Sequence, residues 1–261
     1  AWPKRFFDVG IAEGHAVTMA AGMARQGMIP VLAVYSSFLQ RGFDMLIHDV
    51  ALQRLHVVLA VDRAGLVGSD GPTHHGCQDV GYLSQIPGLS VLCPACFDEL
   101  RAMLRAALDM EGPVAIRYPR GGEGRQYPAW TGEDASVLRQ GADATLVSYG
   151  TLTDELLKAA DLLAERGVQA EVVKLHRIAP LDAASVLASV RRTGRLLVLE
   201  DCFENGSVGQ RLASELAMAG IAPETLVLKN LKDTFAPQGT VPQLRKLLGL
   251  DAEGVVHSFS L

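Results

Sequence analysis

"VLAVYSSFLQRGFDMLIHDVALQRLHVVLAVD", residues 31–62, decides the fold. A β-branched run (31–35), a helix-length amphipathic stretch (39–52) and a second β-branched run (57–62) follow one another with no hairpin-type turn between them. Two strands joined through a helix lie parallel, so this stretch reads as a βαβ unit. The same alternation extends in both directions. Upstream lies a helical stretch at 12–26, preceded by an extended, strand-like "FFDVG" run; downstream come strands at 89–93 and 114–118. Between those two strands a helix at 97–110 carries Leu100, Met103, Leu104 and Ala107 on one stripe.

After residue 121 the periodicity stops, and Gly, Pro and polar residues accumulate; residues 123–141 read as a linker. A second alternation then runs through strands at 145–149, 170–175, 196–200 and 225–229, helices at 151–166 and 208–219, a helix after "PLD" at 180–182, and closing helical pieces from 241 to the end. The expectation is an α/β protein of two domains with mostly parallel sheets, 1–122 and 142–261. There is no internal repeat and no low-complexity tract.

Composition supports a packed core: 49% of the 261 residues are apolar and 20% charged, with a mean hydropathy of +0.19. The net charge of −5 and a pI near 5.8 offer no basic footprint for nucleic acid or anionic membrane. The apolar runs are strand-sized, far below the roughly 20 residues of a spanning helix. The first residues carry no apolar leader segment, and the expected location is cytoplasmic. Four cysteines, Cys77, Cys93, Cys96 and Cys202, are too few for a disulfide scaffold and are expected reduced. "CPAC" at 93–96 matches a redox spacing, but one such motif without its surrounding pattern reads more simply as structural.

Four stretches concentrate chemistry. In "DVGIAEGHAVTMAAG" (8–22), Glu13 stands where a strand-like run meets a helix, a place that favours negative charge; helix capping is the plain alternative. The small residues that follow imply that something packs close, either another subunit or a cofactor ring. In "YSSFLQRGFD" (35–44), Tyr35, Phe38 and Arg41 follow a strand, at the edge where open parallel sheets bind ligands. Phe38 could equally be core, whereas the guanidinium of Arg41 needs an anionic partner. "DRAGLVGSDGPTHHG" (62–76) is a Gly-rich loop with Arg63, Asp70, His74 and His75; the His pair lacks the further ligands of a metal site, so no metal ligands are assigned. "RYPRG" (117–121) brings Arg117 and Arg120 to the same edge in different directions, Arg120 being the better anion partner.

Together with "VVKLHRIAPLD", "LLVLEDCFENGSVGQRL" and "DTFAPQGTVPQLRKLLGLDAEGV" from the second half, these stretches resemble the 1-deoxy-D-xylulose 5-phosphate synthases, thiamin-diphosphate enzymes of the transketolase superfamily. The resemblance covers nearly the whole chain. It implies that Glu13 hydrogen-bonds N1′ of the cofactor's aminopyrimidine and so promotes loss of the thiazolium C2 proton, while Phe38 stacks on that ring and Ile11 packs nearby. It implies substrate contacts for His74, Tyr35, Arg63 and Asp70, His74 being catalytic as well, and a phosphate grip for Arg41 and Arg120. The substrates implied are pyruvate and glyceraldehyde 3-phosphate, the assembly a homodimer. One departure is Gly14, where many relatives carry Gln, a change of packing more than of chemistry. The other is the absence of the "GDG" motif and downstream Asn that hold Mg²⁺ and the diphosphate in that family, together with the opening strand and helix of the pyrimidine-binding domain. The fragment alone is therefore expected to be inactive. Two other readings stand beside this one: a separate transketolase-like or 2-oxo acid dehydrogenase E1 β-type subunit needing a partner chain, and a non-catalytic binding or assembly module.

Overall fold

A computed structural model describes residues 2–122 and 124–259. Ala1, Glu123, Ser260 and Leu261, assigned above to the first domain, the linker and the end of the second domain, lie outside the described residues. The strands are β1 (Val31–Tyr35), β2 (Val58–Asp62), β3 (Ser90–Leu92), β4 (Val114–Arg117), β5 (Ala135–Arg139), β6 (Ala144–Tyr149), β7 (Ala170–Leu175), β8 (Arg177–Ala179), β9 (Arg195–Leu199) and β10 (Thr225–Lys229). They form two five-stranded sheets, ordered β1-β2-β4-β3-β8 and β10-β9-β6-β7-β5. Each has four parallel strands and one antiparallel edge, β8 in the first and β5 in the second.

Both antiparallel edges depart from the sequence reading. β5 lies inside the segment taken as linker: "ASVLR" alternates too briefly to stand out, and it is recruited by the exposed edge of β7. β8 belongs by sequence to the second domain yet pairs with β3 of the first sheet, Val91 opposite Ala179. The "FFDVG" run is coil after a 3-10 turn at Pro3–Arg5, with Phe6 and Phe7 exposed and no strand beside it among the described residues. Glu13 therefore begins its helix, Glu13–Arg25, from a loop and not from a strand. In the helix Phe97–Ala107, Met103 and Ala107 are buried as the stripe requires, but Leu104 is on the exposed side.

The helix expected at 39–52 starts earlier and changes pitch three times: α over Ser36–Leu39, 3-10 over Gln40–Gly42, α over Phe43–Met45 and π over Leu46–Ala51. Such irregular pitch recurs at functional sites because it re-aims side chains. This segment is what packs close to the small-residue helix: a Cβ on Gly42 would lie 2.8 Å from Val17 Cγ2, and one on Gly14 2.5 Å from Met45 Cε. A longer residue at 14 would have to displace Met45. A Cβ on Gly22 would meet nothing within 4 Å among the described residues.

One buried cluster runs through both domains, joining Val17, Leu39, Val61 and Val91 to Tyr149, Val173 and Val198. Charges are buried along the same seam. The Lys174 ammonium pairs with Glu99, whose other oxygen accepts from Ala95 N at 2.7 Å. Beside them His176 contacts Ser136 Oγ at 2.8 Å. Burial, then the Lys174 charge, pushes the His176 pKa down to about 4 against the opposing pull of Glu99, Glu133 and Asp134.

Candidate active site

Parallel pairing places three strand ends side by side. Tyr35 of β1 is in register with Asp62 of β2, and Val61 of β2 with Arg117 of β4. The helical segment 36–51, the loop 63–76 and the turn 118–121 thus leave from one edge, where ligands of such sheets bind.

Glu13 is the first residue of its helix, and Ala12 before it offers no side-chain cap. Its carboxylate, only 12% exposed, takes its hydrogen bond from Arg41 (Oε1 to Nη1, 3.4 Å). The Arg41 guanidinium also lies 5.5 Å from the centre of the Phe38 ring. Phe38 is half-buried and stands apart from the core clusters. It stacks on Tyr35 (centroids 5.4 Å apart, planes 28°) and meets His74 edge-on at 5.2 Å. Beyond Tyr35, the Arg63 guanidinium sits 3.7 Å from that ring's centre, a cation–π distance. Arg63 is held there at a φ of +58° by Asp62, which accepts its backbone N–H at 2.6 Å and its Nη1 at 2.5 Å. Arg63 Nε lies 3.6 Å from Asp70, and Asp70 accepts in turn from Arg120. Although burial works against it, the hydrogen bond and charge of Arg120, with Arg63 and His74, lower the Asp70 pKa.

The residues singled out at sequence level therefore form one connected row: Glu13, Arg41, Phe38, Tyr35 with His74, Arg63, Asp70 and Arg120. Ile11 is outside it, 95% exposed in the loop before the helix. The two histidines separate cleanly. His74 bonds through Nδ1 to Thr73 Oγ1 at 2.9 Å and faces the row, whereas His75 is buried, its Nδ1 accepting from Val67 N at 3.2 Å and its Nε2 donating to Pro237 O at 3.1 Å. Arg117 also turns away from Arg120, into a buried fork with Asp79. Cys93 and Cys96 are buried and unbridged. Burial pushes the Cys93 thiol up to about 12, which removes the thiolate that redox exchange needs.

Spacing did not reveal what supports the row. Asp62 holds Arg63, Ser69 Oγ lies 3.4 Å from Arg120, and Gln238, 169 positions from Ser69, donates to that residue's carbonyl at 3.2 Å. No periodic pattern signals contacts of that separation.

A carboxylate at a helix start thus lies beside a half-open aromatic face, followed by cationic side chains, at one sheet edge of a two-domain α/β fold. Residues 1–123 match the family model for "Transketolase, pyrimidine binding domain" and residues 133–255 that for "Transketolase, C-terminal domain". The chain belongs to the transketolase family. Within it the chain is similar to 1-deoxy-D-xylulose-5-phosphate synthases. It is 44% identical to synthase 1 of Geobacter sulfurreducens over 97% of this chain and 41% of the relative, and 46% identical to that of Thermomicrobium roseum over 98% and 41%. It is 47% identical to that of Gloeobacter violaceus over 97% and 41%. The chain thus spans about two-fifths of the length of the curated relatives it matches. A solved structure described as "Split gene transketolase, inactive beta4 tetramer" superposes with a TM-score of 0.88 at 29% identity, covering 99% of this chain and 83% of that one.

Proposed function

We propose that this chain supplies the pyrimidine-binding and C-terminal domains of a thiamin-diphosphate-dependent synthase. The enzyme joins pyruvate to glyceraldehyde 3-phosphate, releases carbon dioxide and forms 1-deoxy-D-xylulose 5-phosphate, a precursor for isoprenoids. The observation that carries this reading is the unbroken row from Glu13 to Arg120, set beside the 44–47% identity to synthases of that name.

The residues fit the aminopyrimidine half of the cofactor. Glu13 is an acceptor whose partner, Arg41, is 63% exposed and can give way, and Phe38 offers a ring outside the core. When bound, the cofactor supplies the carbanion chemistry. Glu13 accepts the pyrimidine N1′ hydrogen bond and so holds the ring in its proton-accepting tautomer. Phe38 stacks on the ring, with Ile11 beside it once the assembly is complete. His74, fixed by Thr73, is a neighbouring proton carrier, and Tyr35, Arg63 and Asp70 orient substrate. Arg41 and Arg120 hold the aldehyde's phosphate through charge-assisted bonds. Mg²⁺ and the diphosphate are assigned to another domain of the assembly, which is read as a homodimer.

The test is turnover of the assembled enzyme with thiamin diphosphate, Mg²⁺, pyruvate and glyceraldehyde 3-phosphate. Stoichiometric carbon dioxide and 1-deoxy-D-xylulose 5-phosphate are expected; cofactor binding without product from these substrates refutes the assignment. The split-gene neighbour favours a second reading, in which the chain is a separate subunit. In that case activity appears only when a second polypeptide is added.

A further inference from the structure

The loop 63–76 carries Arg63, Asp70 and His74, yet much of what holds it comes from the other domain. Leu66 and Cys77 are buried in the second domain's own cluster with Leu231, Ala236 and Leu244. Leu66 N lies 3.4 Å from Asp201 Oδ2. At Gly65, where φ is +73°, a Cβ would run into that same carboxylate, so a side chain there would be strained and would have to push Asp201 aside. His75 bridges the loop to Pro237 O, and one residue further on Gln238 Nε2 donates to Ser69 O at 3.2 Å. Ser69 precedes Asp70, and both lie on Arg120: Ser69 Oγ at 3.4 Å, Asp70 through the ion pair.

We propose that Gln238, on the C-terminal domain, is a positioning residue that fixes Ser69 and Asp70 and through them aims Arg120 at the phosphate of the aldehyde substrate. The kinetic consequence rests on the function proposed above; the structural one does not. Gln238 is exposed, and Leu66, His75 and Asp201 anchor the loop independently, so losing this one bond frees the 68–71 turn without opening the core. The second domain thereby contributes to substrate selection without touching substrate.

The variant is Gln238→Met, which keeps the length of the side chain and removes the donor, with Gln238→Lys restoring a donor. Two readouts separate this proposal from the function it rests on. In the full chain, amide exchange over 66–76 is expected to quicken at least threefold in Gln238→Met, with the same melting temperature and unchanged exchange in β6 and β7, and to return toward the parent in Gln238→Lys. Unchanged exchange in the loop overturns the proposal whatever the enzyme does. In the assembled enzyme, KM for glyceraldehyde 3-phosphate is expected to rise about two- to tenfold, the size of one neutral hydrogen bond. kcat and KM for pyruvate should hold within about twofold of the parent. An equal rise in both KM values, or a fall in kcat alone, also overturns it. A parent enzyme without turnover refutes the proposed function and leaves the exchange result to decide this one.

Discussion

Replacing Arg117 by Met tests whether the buried ion pair at the domain seam is as consequential as its geometry implies. Arg117 is 5% exposed and Asp79 not at all; Nε donates to Oδ2 at 3.0 Å and Nη2 to Oδ1 at 3.1 Å, a two-pronged fork. Asp201 Oδ1 stands 3.8 Å away and the Tyr149 ring 5.3 Å, so the guanidinium is enclosed by both domains. Burial disfavours its charge, but Asp79 together with Tyr149, Cys93 and Asp201 outweighs it, and its pKa lies well above the ordinary value. Methionine fills the aliphatic stem and removes the charge. Asp79 then keeps the Val80 N–H at 2.8 Å, in a fully buried site. Breaking such a pair from one side costs about 3–5 kcal/mol, a large part of the roughly 5–15 kcal/mol that holds a domain together. Removing the partner charge as well, in Asp79→Asn/Arg117→Met, leaves no fully buried orphan ion, Asp201 being partly exposed, and should recover about 2 kcal/mol or more. Urea unfolding of the full chain followed by circular dichroism gives these differences by linear extrapolation. A loss below about 1 kcal/mol for Arg117→Met, or a double variant as unstable as the sum of its parts, would refute the reasoning.

Glu13→Ala in the assembled enzyme should lower turnover about a hundredfold or more. Stability should move by less than about 1 kcal/mol, because the partner Arg41 is mostly in water; near-normal turnover removes Glu13 from the proposed role. Arg120→Ala should raise KM for the phosphorylated aldehyde about tenfold or more and that for pyruvate far less, and equal effects would sink the phosphate assignment. His176 ionises near 6.5 when unfolded and about 4 when folded, so the unfolded chain binds the extra proton first. Stability present above pH 6.5 should fall by about 3 kcal/mol as pH drops toward 4. A His176→Asn variant should show a flatter profile over that window, and a parallel profile would contradict the buried neutral histidine.

The parallel sheets were legible because each strand is a continuous β-branched run followed by a helix of distinct period, and register then follows from pairing. The edges were not. β5 and β8 are five and three residues long, and each exists because a neighbouring strand presents unpaired backbone groups. Tyr35, Phe38, Arg41, Arg63, Asp70 and Arg120 could be grouped as candidates because strand ends in a parallel sheet converge wherever the loops go. Ile11 was placed by resemblance alone, and among the described residues nothing covers it. The pitch changes in 36–51 escaped notice since every residue there is compatible with an ordinary helix; the close seat of Val17 against Gly42 emerges only when the two segments meet. Gln238 and Asp201 are ordinary polar residues in sequence and acquire meaning from a contact across the chain.

The antiparallel strand Arg177–Ala179 also has a bearing on biosynthesis. The first sheet is ready for it once β4 has joined β3 to β2, but the ribosome must add some 60 more residues, the distance from Arg117 to Arg177, before it arrives. At about 5–20 residues per second the edge of β3 waits roughly 3–12 s with its amides unpaired. Nascent chains, or truncations ending before residue 177, offer that edge to any extended segment nearby. The last strand of the first sheet thus acts as a completion mark, closing the front half only after the back half is well under way.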